Sequence, residues 1–157
     1  MREIVTMLDE TLRYLTHQMF EDYIVVVVES SREEVWCPYC GQRSSRVHSR
    51  YERSFQDLPI QGKKVFVNII NKKYFCDNDS CLNKTFAESF DFVKPNAKKS
   101  ERLINKIMKL STEVSSVTAS RILADGVANV SKSTICDMLK KNDKNTGQGK
   151  RRENLHR

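Results

Sequence analysis

Cys37-Pro38-Tyr39-Cys40-Gly41 and Cys76-Asp77-Asn78-Asp79-Ser80-Cys81 are two short loops, each carrying a pair of thiols, and their spacing decides how the chain folds. Zinc takes four soft ligands at the corners of a tetrahedron, which two loops from separate hairpins can supply. The residue after the second cysteine of such a knuckle turns sharply, and Gly41 tolerates the positive φ this needs. Asn78 and Asp79 accept the tight turn of the second loop. Between the loops lie strand candidates at residues 46–53, 64–71 and 72–76, punctuated by Asp57-Leu58-Pro59 and Gln61-Gly62-Lys63. A metal held by Cys37, Cys40, Cys76 and Cys81 would close these strands into a small antiparallel sheet. A region this short buries too little apolar surface to fold without such a staple. The expected ion is one structural Zn2+ per chain, with all four positions filled and none open for catalysis.

Other readings compete for these thiols. Disulfides need an oxidising compartment that nothing in the sequence suggests. A redox C-x-x-C normally opens a helix in a βαβ setting, whereas this one sits among short strands. Buried, inert thiols would not explain pairing at two sites. His48 could replace one ligand, although a lone histidine near a strand is more often a surface or packing residue. Cys136 stands apart, beside Ile135 and Leu139 on a predicted helix, and reads as a core thiol.

Outward from the loops, residues 23–29 are β-branched and aromatic without a breaker, and open a zinc-binding β region over 23–92. Before it, Ile4, Leu8, Leu12, Leu15 and Met19 recur at steps of three and four, which predicts an amino-terminal helical segment over 1–22, although a short helix followed by irregular chain fits equally because nothing caps it clearly. Pro95 and the polar stretch 96–100 mark a boundary, after which the periodicity becomes helical. Leu103, Ile107 and Leu110 give one helix. Val117, Ala119, Ile122 and Leu123 give a second, capped by Ser115 or Ser116 and stopped at Gly126. Ser131 caps a third, from 132 to about 141. Two helices joined by a glycine-containing turn, the second one basic, fit a helix-turn-helix over 100–142. An ordinary helical bundle with a solvated basic face fits the same periodicity. Residues 143–157 read as a basic flexible tail. The fold class is α+β: a small zinc-stapled antiparallel β region followed by a helix-turn-helix domain.

The chain has 157 residues, with 27 Lys and Arg against 20 Asp and Glu, a net charge of +7. The first 36 residues hold three basic side chains and eight acids, so the remainder carries a marked basic excess, the footprint of a polyanion binder. The exposed first turn of the last helix offers Lys132, Ser133 and Thr134 to base edges. Arg43, Arg46, Arg50, Arg53, Lys140 and Lys141 are the phosphate-contact candidates. No apolar run approaches the ~20 residues of a membrane span, and acids stand where a signal peptide needs an apolar stretch, so a cytoplasmic protein is expected. The acids are scattered, and no catalytic constellation is found.

The order Cys37-Pro38-Tyr39-Cys40-Gly41, Arg46-Val47-His48-Ser49-Arg50-Tyr51, Asp57-Leu58-Pro59-Ile60-Gln61-Gly62, Tyr74-Phe75-Cys76, Cys81 and Lys84-Thr85-Phe86-Ala87-Glu88 resembles the amino-terminal zinc-binding region of bacterial insertion-sequence transposases of the ISL-three type. In that family a helix-turn-helix follows, corresponding to 115–141 here. The resemblance implies binding to double-stranded DNA at the terminal inverted repeats of a mobile element, with a second copy of the chain or a full-length transposase as protein partner. Family members continue into an RNase-H-like domain whose three acids hold two metal ions. Only 16 residues follow Lys141, so the expectation is a chain that recognises DNA without strand-transfer activity of its own. The alternatives are a zinc-stabilised protein-interaction or transcription-regulatory module, and a thiol redox enzyme.

Overall fold

The computed structural model describes residues 1–152, with side chains as far as Asn142. It divides into two compact units, Met1–Glu101 and the residues from Arg102 onward.

The first unit is built on one long strand. In chain order its elements are α1 (Arg2–Thr6), β1 (Leu12–Met19), β2 (Tyr23–Ser30), β3 (Val35–Trp36), β4 (Arg43–Ser44), β5 (Val47–Ile60), β6 (Lys63–Phe75) and β7 (Thr85–Ala87). The main sheet runs β1-β2-β6-β5, with β7 also on β6, while β3 and β4 form a separate two-stranded ribbon. Pairing is antiparallel throughout, as expected, except that β2 lies parallel to β6, with Tyr23 opposite Lys64 and Glu29 opposite Ile70. Long-range burial explains the exception. Ile24, Val26 and Val28 of β2 and Val65, Val67 and Ile69 of β6 alternate onto one face, where they meet Val5, Leu12, Phe55, Phe90 and Val93.

Two strands predicted at 64–71 and 72–76 are one continuous β6, but the division marks a real change. Up to Asn71 the odd residues are buried. From Tyr74 the even ones are, as at Cys76. This slip hands the strand from the sheet core to a second cluster of Val35, Cys37, Tyr74, Cys76, Cys81 and Phe86. Tyr74 faces Phe86 across the β6/β7 pair, their rings stacked at 6.0 Å. Register shifts occur between Tyr14 and Thr16 of β1, and at Val47/Ser49 and Asp57/Ile60 of β5.

The helix expected over 1–22 is corrected: it ends at Thr6, and Leu12–Met19 is a strand. Asp9 Oδ1 accepts hydrogen bonds from the Thr11 backbone N–H at 2.8 Å and hydroxyl at 2.6 Å, a local turn that competes with helix. Tyr14 and Thr16 then favour extension, and pairing with β2 completes it.

The second unit contains most of α2 (Glu101–Glu113), then α3 (Ser116–Ala124) and α4 (Lys132–Arg152). Ser115 caps α3, its Oγ accepting from Thr118 N at 3.2 Å. Gly126 follows with φ 70°, so that Val127 and Ala128 donate back to Leu123 O. Ser131 Oγ accepts from Thr134 N at 3.2 Å and starts α4. The helices α3 and α4 pack together, joined where Ser120 Oγ donates to Val130 O at 2.6 Å and where half-buried Cys136 lies 3.6 Å from Ser116 Oγ. Helix α4 continues to Arg152, through a stretch whose composition reads as tail; residues 153–157 of that tail lie outside the described residues.

Candidate metal centre

Two hydrogen-bonded loops bring the four thiols together. In the first, Gly41 N donates to Cys37 O and Cys37 N to Gln42 O, both at 2.8 Å, with Gly41 at φ 74° as its position requires. In the second, Cys81 N donates to Asn78 O at 3.0 Å, Ser80 N to Asn78 Oδ1 at 2.9 Å, and Lys84 Nζ to Asp79 O at 2.8 Å. The sulfurs of Cys37, Cys40, Cys76 and Cys81 lie within 4.8 Å of one another, and Cys40 and Cys76 are 3.5 Å apart. A tetrahedron with Zn–S bonds of about 2.3 Å has edges of about 3.8 Å, so the cluster is already close to the size a zinc ion demands. All five cysteines are free thiols in this structure. His48 lies outside the cluster, its ring edge-on to Phe75 at 4.7 Å and its Nδ1 3.0 Å from Ser49 Oγ.

The thiols share protons unequally. The backbone N–H of Gln42 stabilises the Cys40 thiolate and lowers that exposed thiol to about 7. At Cys76 the Asn78 backbone N–H favours the thiolate. Burial and the neighbouring Cys40, Cys37 and Cys81 outweigh it, and the group is pushed up to about 12. Crowded thiolates repel one another; a divalent cation at their centre relieves this and displaces the remaining protons. Four thiolates fill the coordination sphere, so the ion would supply folding energy and no reactive position.

Comparison with known families bears on this segment. Residues 33–81 match the family model described as zinc-finger of transposase IS204/IS1001/IS1096/IS1165. The segment thus resembles a transposase zinc ribbon, and its four cysteines are positioned to bind one metal ion. No curated protein and no solved structure matches the chain. No helix of the described residues is long and apolar enough to cross a membrane.

The basic candidates around the ribbon do not share one face. Arg43 is ion-paired with Glu34 and lies 5.5 Å from the centre of the Trp36 ring, its cross-strand neighbour. Arg46 pairs with Asp77 at 2.8 Å and lies over Phe75. Arg50 is exposed on β5 opposite Lys72. Arg53, three residues on, sits on the other face, where its guanidinium donates to Lys94 O and Ala97 O. Burial lowers the pKa of that group. In the second unit Lys132, Ser133 and Thr134 are exposed on the first turn of α4, although Ser133 and Thr134 hydroxyls lie 2.9 Å from Ser131 Oγ. Lys140 and Lys141 are exposed further along.

Sequence reasoning missed Glu88. It is 4% exposed, accepts from Ser30 Oγ at 2.5 Å and lies 3.8 Å from Arg32 Nη1. Nothing in the local pattern distinguishes it from a solvated acid; only the return of β7 onto β6 buries it. Also missed was the apolar exposure of the ribbon itself, at Trp36, Tyr39 and Leu82.

Proposed function

We propose that this chain is the DNA-recognition module of an insertion-sequence transposase, in which the zinc ribbon and a helix-turn-helix formed by α3 and α4 bind double-stranded DNA at element ends. The observation that carries the reading is the transposase zinc-finger match over a four-cysteine cluster. The basic excess beyond residue 36 and the capped α3–α4 pair support it. Cys37, Cys40, Cys76 and Cys81 hold the zinc. The first turn of α4 enters the major groove, with Lys132, Ser133 and Thr134 reaching base edges. Arg43, Arg46, Arg50, Lys140 and Lys141 contact phosphates, the first two exchanging Glu34 and Asp77 for the nucleic acid. Arg53 is left out of this set because its guanidinium is occupied by loop carbonyls. The inverted repeats are the target, the cytoplasm the compartment, and a second copy or a full-length transposase the protein partner. Recognition, without strand transfer, is the role assigned to this chain.

The test is a fluorescence-anisotropy titration of duplex DNA at several salt concentrations. Each phosphate neutralised contributes about −0.9 to the slope of log K against log salt. A steep slope supports the reading, and a flat response refutes it. A second reading, a protein-interaction module, draws on the exposed Trp36, Tyr39 and Leu82, and predicts no salt-sensitive retention of duplex DNA.

A further inference from the structure

Of the four thiols gathered in the ribbon, one is open to solvent. Cys37 is 2% exposed and Cys76 and Cys81 are 7% each, whereas Cys40 is exposed. Nothing in its loop covers it. Pro38, Tyr39, Gly41 and Gln42 are exposed as well, and a Cβ added at Gly41 would meet no atom within 4 Å. Behind it, the sulfur of buried Cys76 lies 3.5 Å away. A disulfide bond is about 2.05 Å long, so a shift of about 1.5 Å joins the two. An open thiolate with a second thiol at its back is the arrangement in which an oxidant attacks one sulfur and the other resolves it. Exposure assigns the parts, because a solute reaches Cys40 ahead of the three buried sulfurs. Cys136 offers a contrast. It lies outside the cluster, with a hydroxyl, Ser116 Oγ, at 3.6 Å.

We propose that Cys40 is a site of oxidative modification by hydrogen peroxide, with Cys76 as its resolving thiol, and that this pair decides whether the ribbon holds its metal. The Cys40 thiolate attacks one peroxide oxygen; the O–O bond breaks, hydroxide leaves, and Cys40 becomes a sulfenic acid. The Cys76 thiolate then attacks the Cys40 sulfur; the S–S bond forms, the S–O bond breaks, and a second hydroxide leaves. The two sulfurs together give up two electrons, which the peroxide gains. Cys37 and Cys81 remain, two ligands where a structural zinc site uses four. A dithiol reductant exchanges with the disulfide, is itself oxidised, and returns both thiols. The oxidation site rests on the four-cysteine cluster alone. Its effect on DNA rests on the recognition function proposed above.

The experiment treats the full, zinc-loaded chain with hydrogen peroxide, reads released zinc with a metallochromic dye, and maps cysteine oxidation by mass spectrometry. One equivalent of peroxide should release one zinc and consume two thiols, those of Cys40 and Cys76. A dione trap for sulfenic acid, present during the reaction, should mark Cys40 and leave Cys37, Cys81 and Cys136 unmarked. Dithiothreitol with added zinc should restore the metal content. In Cys40→His an imidazole nitrogen takes the ligand position and no oxidisable sulfur stands there. The fraction of its own zinc that peroxide releases should therefore drop. Where that variant fails to take up zinc, the trap map of the natural chain decides the question. Trapping first at a buried cysteine, a Cys37–Cys40 bond as the product, or zinc retained by chain oxidised at Cys40 overturns the proposal. On duplex DNA, loss of affinity should track zinc release. Trapping at Cys40 in a chain that binds no duplex at any stage supports the oxidation site and removes the recognition reading instead.

Discussion

Stripping the metal should unfold the two cysteine loops and spare the sheet. The apolar contribution of the ribbon cluster comes mainly from Val35, Tyr74 and Phe86, all buried. At about 2 kcal/mol per buried side chain these contribute roughly 6 kcal/mol. Ordering about a dozen residues of the two loops costs roughly 12–24 kcal/mol of conformational entropy at 1–2 kcal/mol each. Zinc binding contributes roughly 10–16 kcal/mol in small thiolate sites, enough to close the difference. The sheet core, from Val5 and Leu12 through Ile69 to Phe90 and Val93, contains no metal ligand and should persist. The assay is a chelator titration with released zinc measured by a metallochromic dye, while amide NMR follows residues 37–42, 76–81 and 65–70 separately. The first two groups should collapse to unfolded shifts as one equivalent of zinc leaves, and the third should hold. Loop resonances that stay dispersed in protein shown by elemental analysis to be metal-free would refute the argument.

Three further outcomes follow from single side chains. Burial holds the Glu88 carboxyl above its ordinary value of 4.5, opposed by Ser30, Arg32 and Lys72 and reinforced by Asp9. Between 4.5 and that raised value the native state binds more protons than the unfolded one, so stability falls as pH rises through the window and levels off above it. Urea midpoints across this range should show the decline in the natural chain and a flatter profile in Glu88→Gln; a relative rise with pH would contradict it. Ser131→Ala removes the acceptor for Thr134 N and should cost about 1 kcal/mol, seen as a lower Tm of the helical unit. Lys140→Ala should flatten the salt dependence of duplex binding by about 0.9, the contribution of one phosphate contact. Lys63→Ala, whose ammonium instead holds the carbonyls of Phe20 and Glu21, should leave the slope alone, and equal effects of the two changes would remove Lys140 from the phosphate contacts.

What could be read from the sequence was local. The two cysteine loops, Gly41, the serine caps at Ser115 and Ser131 and the stop at Gly126 depend on neighbours within a few positions, and each took the predicted conformation. The amino terminus misled because Leu8, Leu12, Leu15 and Met19 carry a helical spacing by coincidence, while the strand depends on a partner strand that periodicity cannot see. The parallel placement of β2 on β6 is likewise a decision of the whole core. Arg53 was read as a phosphate contact, and no role was read for Glu88; a returning strand buries Glu88, and loop carbonyls near residue 95 occupy the Arg53 guanidinium.

Every register shift among the described residues falls in β1 or β5, the two outer strands, while the inner pairing of β2 with β6 is unbroken. An outer strand with a straight row of free amides and carbonyls invites another strand to continue the sheet. A kinked one does not, because the intruder must match the kink. Residues 98–100 also cover the backbone of β5 at Gln56. The sheet is therefore poorly suited to growing by accretion. A contact between two copies through these edges would have to be made by side chains rather than by an extended ladder.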